Sequence, residues 1–233
     1  GSAAKYIGTT FAELERDCHV YSTKAVTIVE VMGRDAGHIA LSTGIASGAD
    51  IVLIPEIPYD INKIVEKSRQ VLKSNKQYVI AVVAEGVKLP GGENAVGITT
   101  DFAPDGVKYK GAGDAIAKYI ENALNSDRDE NGYAISETIM DVEARATIIG
   151  HISRGGSPTS GDRILCTRYG SYAIDALMSG KTHHMVALKE NVLTAVPLTE
   201  VIPSNNMHSN FRPVDVNGEL VSLAKTLGIC FGD

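Results

Sequence analysis

The chain reads Val-Thr-Ile-Val-Glu-Val over residues 26–31 and continues as Met-Gly-Arg-Asp-Ala-Gly over residues 32–37. The first run is mostly apolar and predicts a buried β-strand. The second run predicts a glycine turn that carries Arg34 and leads into a helix over residues 36–47. In α/β proteins, a strand, a glycine turn and a helix in this order build anion sites at the carboxyl edge of a sheet. We therefore expect Arg34 to lie where a ligand binds.

Strands and helices alternate on either side of this stretch. Short apolar runs predict strands at 51–54 and 78–84, and apolar residues at helical spacing predict helices at 3–17 and 60–74. Short apolar strands separated by helices of ten or more residues are typical of βαβ units with a parallel sheet that is covered on both faces. The sequence therefore predicts an α/β fold with a Rossmann-like, three-layer arrangement.

Residues 87–112 interrupt this alternation. They hold five glycines and two prolines with few periodic apolar positions, which predicts a long surface loop. The remaining chain predicts a helix at 114–125, a helical stretch ending near Asp141, a strand at 146–150, a helix at 161–178, a strand at 185–188 and a helix at 219–226.

Residues suited to phosphate or sugar follow three of the predicted strands. They are Met32, Gly33 and Arg34 after the first, Glu85 after another, and His151 and Arg154 after the strand at 146–150. Because ligand crevices in open α/β sheets lie beyond the carboxyl ends of the strands, we expect these residues to converge. Arginine and histidine donate to phosphate, and a carboxylate accepts from hydroxyls. The set predicts a site for a phosphorylated polyol. Glu56 is a further candidate, equally well interpreted as a solvated loop residue.

Composition and charge narrow the function classes. The 233 residues are 44% hydrophobic with a formal net charge of −6, which indicates a globular protein and disfavours nucleic-acid binding. No run of about 18 to 20 apolar residues and no leader occurs, which predicts a cytoplasmic protein without membrane contact. Cys18, Cys166 and Cys230 have neither disulfide nor zinc spacing, and His183-His184 has no companion ligand, so no metal site is predicted. Phosphate-loop, dinucleotide and acyl-transfer motifs are also absent.

Two long segments resemble the signatures of the 6-phosphofructokinase family. Residues 28–37, Ile-Val-Glu-Val-Met-Gly-Arg-Asp-Ala-Gly, look like its sugar-phosphate signature. Residues 144–158, Ala-Arg-Ala-Thr-Ile-Ile-Gly-His-Ile-Ser-Arg-Gly-Gly-Ser-Pro, followed by Asp162-Arg163, look like its second. Pro55-Glu56 and Ala84-Glu85 match in the right order between them. The resemblance covers about residues 3–175 and is specific, because both motifs are long and in register.

The resemblance implies a phosphofructokinase-type fold with a fructose 6-phosphate site. Met32, Gly33 and Arg34 would contact the sugar phosphate, Glu85 would accept a sugar hydroxyl, His151 and Arg154 would hold the 6-phosphate, and Arg145 would reach a neighbouring subunit's site. Arg34 would also be catalytic, because a fixed cation beside the transferred phosphoryl group stabilises charge in the transition state. The implied reaction is transfer of a phosphoryl group from ATP or pyrophosphate, with Mg²⁺, to the sugar 1-hydroxyl in glycolysis. A site shared between subunits implies a homodimer or homotetramer.

The chain departs from the family in two segments. The nucleotide-binding Gly-Gly-Asp-Gly-Ser and the Thr-Ile-Asp-Asn-Asp that supplies the catalytic aspartate do not occur. Both belong to the family's amino-terminal half, so the resemblance identifies this chain as the carboxyl-terminal portion, inactive by itself, with Mg²⁺ bound mainly by the other half. The implied domains are a sugar-phosphate-binding domain at 1–152, a segment at 153–202 that returns to the amino-terminal domain, and a tail at 203–233.

The chain also departs from the family at the positions of its regulatory site. Asp17 and Ser74 stand where regulated bacterial members of the family carry basic effector-binding residues, although Lys76 is retained and Glu56 matches a metal-associated position. The resemblance therefore predicts that nucleotide-controlled allostery is lost.

Two other interpretations remain open. One is a non-catalytic module that binds a sugar phosphate or acts in assembly. The other is a generic nucleotide-binding Rossmann protein, which the lack of a glycine fingerprint after the first strand disfavours.

Overall fold

A computed structural model describes residues 1–20, 23–74, 76–89, 96–97, 108–109, 111–126, 141–202 and 212–233. The chain forms two compact units. One consists of Ala3–Gly155 together with Pro213–Asp233, and the other of Gly1–Ser2 together with Gly156–Arg212. We call them the parallel-sheet unit and the hairpin unit. None of the helices within the described ranges is long and apolar enough to cross a membrane.

The elements of the described residues follow one another in this order: α1 Ser2–Cys18, β1 Lys24–Val31, α2 His38–Ser47, β2 Ile51–Leu53, α3 Ile61–Lys73, β3 Tyr78–Ala84, β4 Val96–Gly97, β5 Lys108–Tyr109, α4 Ala112–Asn125, β6 Val142–Ile148, a 3₁₀ helix Gly150–Arg154, α5 Ser160–Met178, β7 His184–Lys189, β8 Val192–Pro197, α6 Leu198–Val201 and α7 Glu219–Thr226.

The parallel-sheet unit is built on four strands in the order β2-β3-β1-β6, all parallel. Every residue of β3 is buried, as is β1 from Val26 onward, which accounts for their nearly continuous apolar sequence. Gly44 of α2 packs against Val52 on one face of the sheet, whereas Gly113 of α4 packs against Ile28 on the other. Helices therefore cover both faces, and the predicted three-layer α/β fold is confirmed.

The segment Pro213–Asp233 completes this unit at the outer edge of β2. Val52 N–H donates to the carbonyl of Cys230 at 2.9 Å, and Cys230 N–H donates to that of Asp50 at 3.0 Å. Asp60 N–H donates to the carbonyl of Gly232 at 2.8 Å. Residues predicted as part of a separate tail therefore lie in the parallel-sheet unit, as an added strand-like pairing beside β2.

The hairpin unit combines α5 with the antiparallel pair β7-β8. A capping box starts α5: the hydroxyl of Thr159 accepts from Asp162 N–H at 3.2 Å, and the carboxylate of Asp162 accepts from Thr159 N–H at 2.9 Å. Hydrogen bonds from Ser2 and Thr159 hold the pKa of Asp162 well below its ordinary value. The capping box agrees with the helix predicted at 161–178.

Most predicted elements are confirmed to within two residues at each end, and the exceptions lie outside the central strands. The strand predicted at 146–150 begins four residues earlier, at Val142, and ends at Ile148. Strand β8 was not predicted, because the turn before it uses Glu190 and Asn191 at positive φ rather than glycine. Most of the predicted loop 87–112 and the helical stretch before Asp141 fall outside the described residues.

Candidate functional site

Three strand ends meet at one edge of the sheet. Strand β1 lies between β3 and β6, so the residues that follow these strands are neighbours. The structure places six of the predicted site residues on the segments leaving this edge: Met32, Gly33, Arg34, Glu85, His151 and Arg154. The convergence of strand ends that the sequence predicted is therefore present, while the ligand that these residues hold stays a prediction.

The backbone of the first segment is fixed by the end of β3. Gly33 N–H donates to Oε1 of Glu85 at 3.3 Å, Gly86 N–H donates to the carbonyl of Gly33 at 3.1 Å, and Glu85 N–H donates to that of Val31 at 2.9 Å. Gly33 has a φ of 156°, and a Cβ there would lie 2.8 Å from the carbonyl oxygen of Ala36. A side chain at Gly33 would thus disturb the turn that carries Arg34.

Gly86 packs directly against the backbone of Arg34. A Cβ at Gly86 would lie 1.7 Å from the carbonyl oxygen of Arg34 and 2.5 Å from its carbonyl carbon. The two segments approach this closely only because Gly86 has no side chain. The main chain of Arg34 is therefore held in place, while its side chain is exposed.

His151 and Arg154 project from the 3₁₀ helix that follows β6. Residues three apart eclipse one another in a 3₁₀ helix, so these two side chains leave it on the same side. Both are exposed, whereas Ser153 between them is buried and its hydroxyl donates to the carbonyl of Gly150 at 2.8 Å. Ile149 N–H donates to the carbonyl of Glu30 at 3.1 Å, which ties the start of the helix to β1. The anchored turn therefore presents, side by side, two side chains that can donate hydrogen bonds to a phosphate.

Arg145 lies apart from this edge. It sits within β6, in register with Thr27 of β1, and its guanidinium donates to both carboxylate oxygens of Glu143 at 2.7 Å. These hydrogen bonds hold the pKa of Glu143 below its ordinary value. The structure therefore does not bring Arg145 to the other six residues, and its role across a subunit interface stays a prediction.

Glu30 is a site-proximal acid that the sequence reasoning missed. It is 6% exposed, and its Oε2 accepts from Gly113 N–H, in the first turn of α4, at 2.8 Å. Burial raises the pKa of Glu30, opposed by the Gly113 hydrogen bond and reinforced by the charges of Glu85 and Asp114. The available signal was a lone acid inside an apolar strand, which the structure explains as an anchor for α4.

Replacing Glu30 by glutamine will change the pH dependence of stability. Because the pKa of Glu30 is raised from 4.5 in the folded protein, the folded state keeps a proton that the unfolded state loses above that pH. Ionisation of Glu30 therefore lowers the free energy of unfolding as the pH rises from 4.5 through the folded pKa. In Glu30→Gln this loss disappears, so the variant gains stability relative to wild type across that window.

Urea denaturation at a series of pH values measures this difference. Asp114→Asn is the matched control, since it removes one of the charges that raise the pKa of Glu30 and should shrink the effect without abolishing it. Parallel profiles for wild type and Glu30→Gln would contradict the raised pKa.

Glu56 is half-buried, and its carboxylate accepts hydrogen bonds from two backbone segments. Its Oε1 and Oε2 accept from Gly37 N–H at 3.0 and 3.1 Å, and its Oε1 also accepts from Val214 N–H at 2.8 Å. The carboxylate is therefore bound by backbone donors, and its role toward a ligand stays a prediction.

The described residues contain no group of three or more His, Cys, Asp or Glu side chains that could hold a metal ion.

Solved phosphofructokinases have the same fold as this chain. A pyrophosphate-dependent phosphofructokinase from Marinobacter aquaeolei matches 99% of this chain and 55% of its own, with a TM-score of 0.67 and 21% identity. Phosphofructokinase from Saccharomyces cerevisiae matches 85% of this chain and 23% of its own, with a TM-score of 0.62 and 25% identity.

Curated relatives and the family model point to the same family. ATP-dependent 6-phosphofructokinase 2 of Clostridium perfringens is 41% identical over 89% of this chain, and ATP-dependent 6-phosphofructokinase 1 of Synechocystis sp. is 38% identical over 91%. The chain spans about half of these relatives, 51% and 52% of their lengths. The family model for Phosphofructokinase matches residues 1–177. This chain therefore belongs to the phosphofructokinase family.

Proposed function

We propose that this chain is the fructose 6-phosphate-binding part of a 6-phosphofructokinase. The observation that carries the proposal is the convergence of the ends of β1, β3 and β6, which assembles cations, backbone donors and a carboxylate at one sheet edge. The parent enzyme transfers a phosphoryl group from ATP or pyrophosphate to the sugar 1-hydroxyl.

Each residue has a role that suits its chemistry. His151 and Arg154 bind the 6-phosphate, because both offer donors from the same side of one anchored turn. Glu85 accepts a hydrogen bond from a sugar hydroxyl, since a carboxylate has about four acceptor sites and the Gly33 N–H takes one of them. Met32 and Gly33 contact the sugar, and the Arg34 guanidinium stabilises charge that develops on the transferred phosphoryl group.

The phosphoryl donor and the base belong to the rest of the enzyme in this proposal. Mg²⁺ accompanies the donor and supplies positive charge to its phosphates when bound. Its ligands are proposed to come mainly from the amino-terminal half. The catalytic aspartate and the donor pocket lie in the amino-terminal half, and this chain alone is expected to bind sugar phosphate without turnover.

The hairpin unit holds most of the segment at 153–202, which is proposed to return to the amino-terminal domain. Helix α5 leaves large apolar side chains more than half exposed, among them Ile164, Ile174, Leu177 and Met178. Exposed apolar surface on this scale marks an interaction site. The parent enzyme is proposed to be a homodimer or homotetramer, with Arg145 reaching a neighbouring subunit's site.

Calorimetric titration with fructose 6-phosphate tests the binding site in the complete gene product that carries this sequence. His151→Ala and Arg154→Ala should each weaken binding by about 10- to 100-fold, because each removes charge-assisted hydrogen bonds. Arg16→Ala, which removes an exposed arginine from α1, is the control and should bind like wild type.

Unchanged affinity in both site variants would contradict the assignment of the 6-phosphate site. Binding without phosphoryl transfer by the complete gene product would favour the alternative, a non-catalytic sugar-phosphate-binding or assembly module.

A further inference from the structure

We propose that Glu56 is a positioning residue that ties residues 32–37, here called the Arg34 segment, to the segment Pro213–Asp233. Binding of sugar phosphate then depends on both segments. The inference deepens the proposed function and rests on it for the identity of the ligand. Glu56 and both of its partner segments lie in the parallel-sheet unit.

The Glu56 carboxylate is engaged by backbone donors from two distant segments. Gly37 N–H donates to both oxygens, at 3.0 and 3.1 Å, and Val214 N–H donates to Oε1 at 2.8 Å. Hydrogen bonds to an ionised carboxylate are about twice as strong as neutral ones. Because the groups facing Glu56 are donors that carry partial positive charge, this surrounding suits a structural anchor better than a cation ligand.

Glu56 fixes Gly37, the last residue of the Arg34 segment. Gly37 is the N-cap residue of α2 and supplies no side chain to cap that helix, so Glu56 provides the negative charge that its amino terminus favours. A Cβ at Gly37 would lie 2.3 Å from Ile54, the residue that follows β2, which shows how closely this end packs there.

The Arg34 segment is thus held at both ends by neighbouring strands. The end of β3 holds Gly33 through Glu85 and Gly86, and Glu56, just beyond the end of β2, holds Gly37. Arg34 lies between these two anchors. Loss of the Glu56 anchor would remove the hydrogen bonds that fix Gly37 and would weaken the hold on one end of this segment.

Glu56 also binds the backbone at the point where the chain re-enters the parallel-sheet unit, through the hydrogen bond from Val214 N–H. Val214 is the second residue of the segment Pro213–Asp233 and is 6% exposed. From there the chain passes through α7 to the pairing of Cys230 with β2. The single carboxylate therefore joins the arrival of this segment to the turn that presents Arg34.

Steady-state kinetics of the complete gene product test the proposal through KM and kcat. Glu56→Ala should raise the KM for fructose 6-phosphate about tenfold and lower kcat less than threefold, because bound sugar phosphate restores the position of the Arg34 segment at saturation. Glu56→Gln keeps an oxygen for the two N–H groups that Oε1 accepts, and it should recover KM to within about threefold of wild type.

Asp50→Ala is the matched control. Asp50 directly precedes β2, so it lies at the amino-terminal ends of the strands, opposite the candidate site. Its carboxylate accepts from Ile80 N–H at 2.9 Å and from Lys76 Nζ at 2.8 Å. Its removal should lower the melting temperature and leave the KM for fructose 6-phosphate unchanged. An unchanged KM in Glu56→Ala, or an equal rise in Asp50→Ala, would overturn the proposal.

Hydrogen exchange provides a readout that does not require the ligand. In Glu56→Ala, amide exchange should quicken in both 33–41 and 213–221, and in Asp50→Ala in neither. Faster exchange in only one of these segments would overturn the coupling. If fructose 6-phosphate does not bind wild type while both segments respond, the proposed function fails and the anchoring role of Glu56 stands. If Glu56→Ala does not fold, the same two measurements on Glu56→Gln decide, since it should show a smaller change in both segments.

Discussion

Gly86→Ala will destabilise the parallel-sheet unit by about 3 kcal/mol and weaken binding of fructose 6-phosphate at least 100-fold. The added Cβ would lie 1.7 Å from the carbonyl oxygen, 2.5 Å from the carbonyl carbon and 2.9 Å from the Cα of Arg34. These are main-chain atoms, so no rotamer change relieves the clash. The two segments must separate, which breaks the hydrogen bond from Gly86 N–H to Gly33 and displaces Gly33 and Glu85 as well as Arg34.

Urea denaturation and calorimetry together measure the effect of Gly86→Ala, with binding recorded where near-ultraviolet circular dichroism shows the variant folded. Gly8→Ala is the control, since Gly8 lies within α1 and its Cβ would meet only the Ser47 hydroxyl at 3.6 Å. It should gain up to about 1 kcal/mol through helix propensity and bind normally. A Gly86→Ala variant with wild-type stability and affinity would show that the two segments separate at no cost.

Arg34→Ala will lower kcat of the complete gene product by about 10³-fold and weaken fructose 6-phosphate binding far less. The reason follows from the proposed function: a cation fixed beside the transferred phosphoryl group acts mainly on charge that appears in the transition state. The turn that holds Arg34 is set by glycines at 33 and 37, so truncation of the side chain leaves its backbone anchors in place.

Arg34→Lys separates charge from geometry in the same steady-state assay. Lysine keeps the positive charge but loses the planar fork of donors, so it should restore part of kcat and remain below wild type. If kcat is unchanged in Arg34→Ala, the catalytic role of Arg34 is wrong, whereas the binding roles of His151 and Arg154 are tested independently.

The central strands could be predicted from the sequence because burial on both faces leaves a continuous apolar run. Strand β3 was predicted residue for residue, Tyr78–Ala84. The start of β6 was predicted four residues too late, because β6 is the outermost strand of the sheet. There Glu143 and Arg145 interrupt the apolar pattern and pair with each other. An edge strand does not need an apolar residue at every position, so its start is hidden from that pattern.

The placement of the candidate residues at one end of the sheet was predictable from the sequence, whereas the contacts that hold them were not. Strand ends of a parallel sheet must meet at one edge, so the positions of Arg34, Glu85 and His151 follow from the order of elements. The anchors depend on contacts that no local pattern encodes. Glu56 and Val214 lie 158 residues apart in sequence, and the contact of Gly86 with Arg34 depends on the spacing of two neighbouring strands.

The pairing of Cys230 with β2 also bears on how the protein is made. The outer edge of β2 stays uncovered until the segment Pro213–Asp233 has left the ribosome, after the whole hairpin unit has been synthesised. During that interval the nascent chain presents unpaired backbone donors and acceptors, which attract other strands. Chains that terminate before Cys230 would keep this edge open, so such products should aggregate and depend on chaperones.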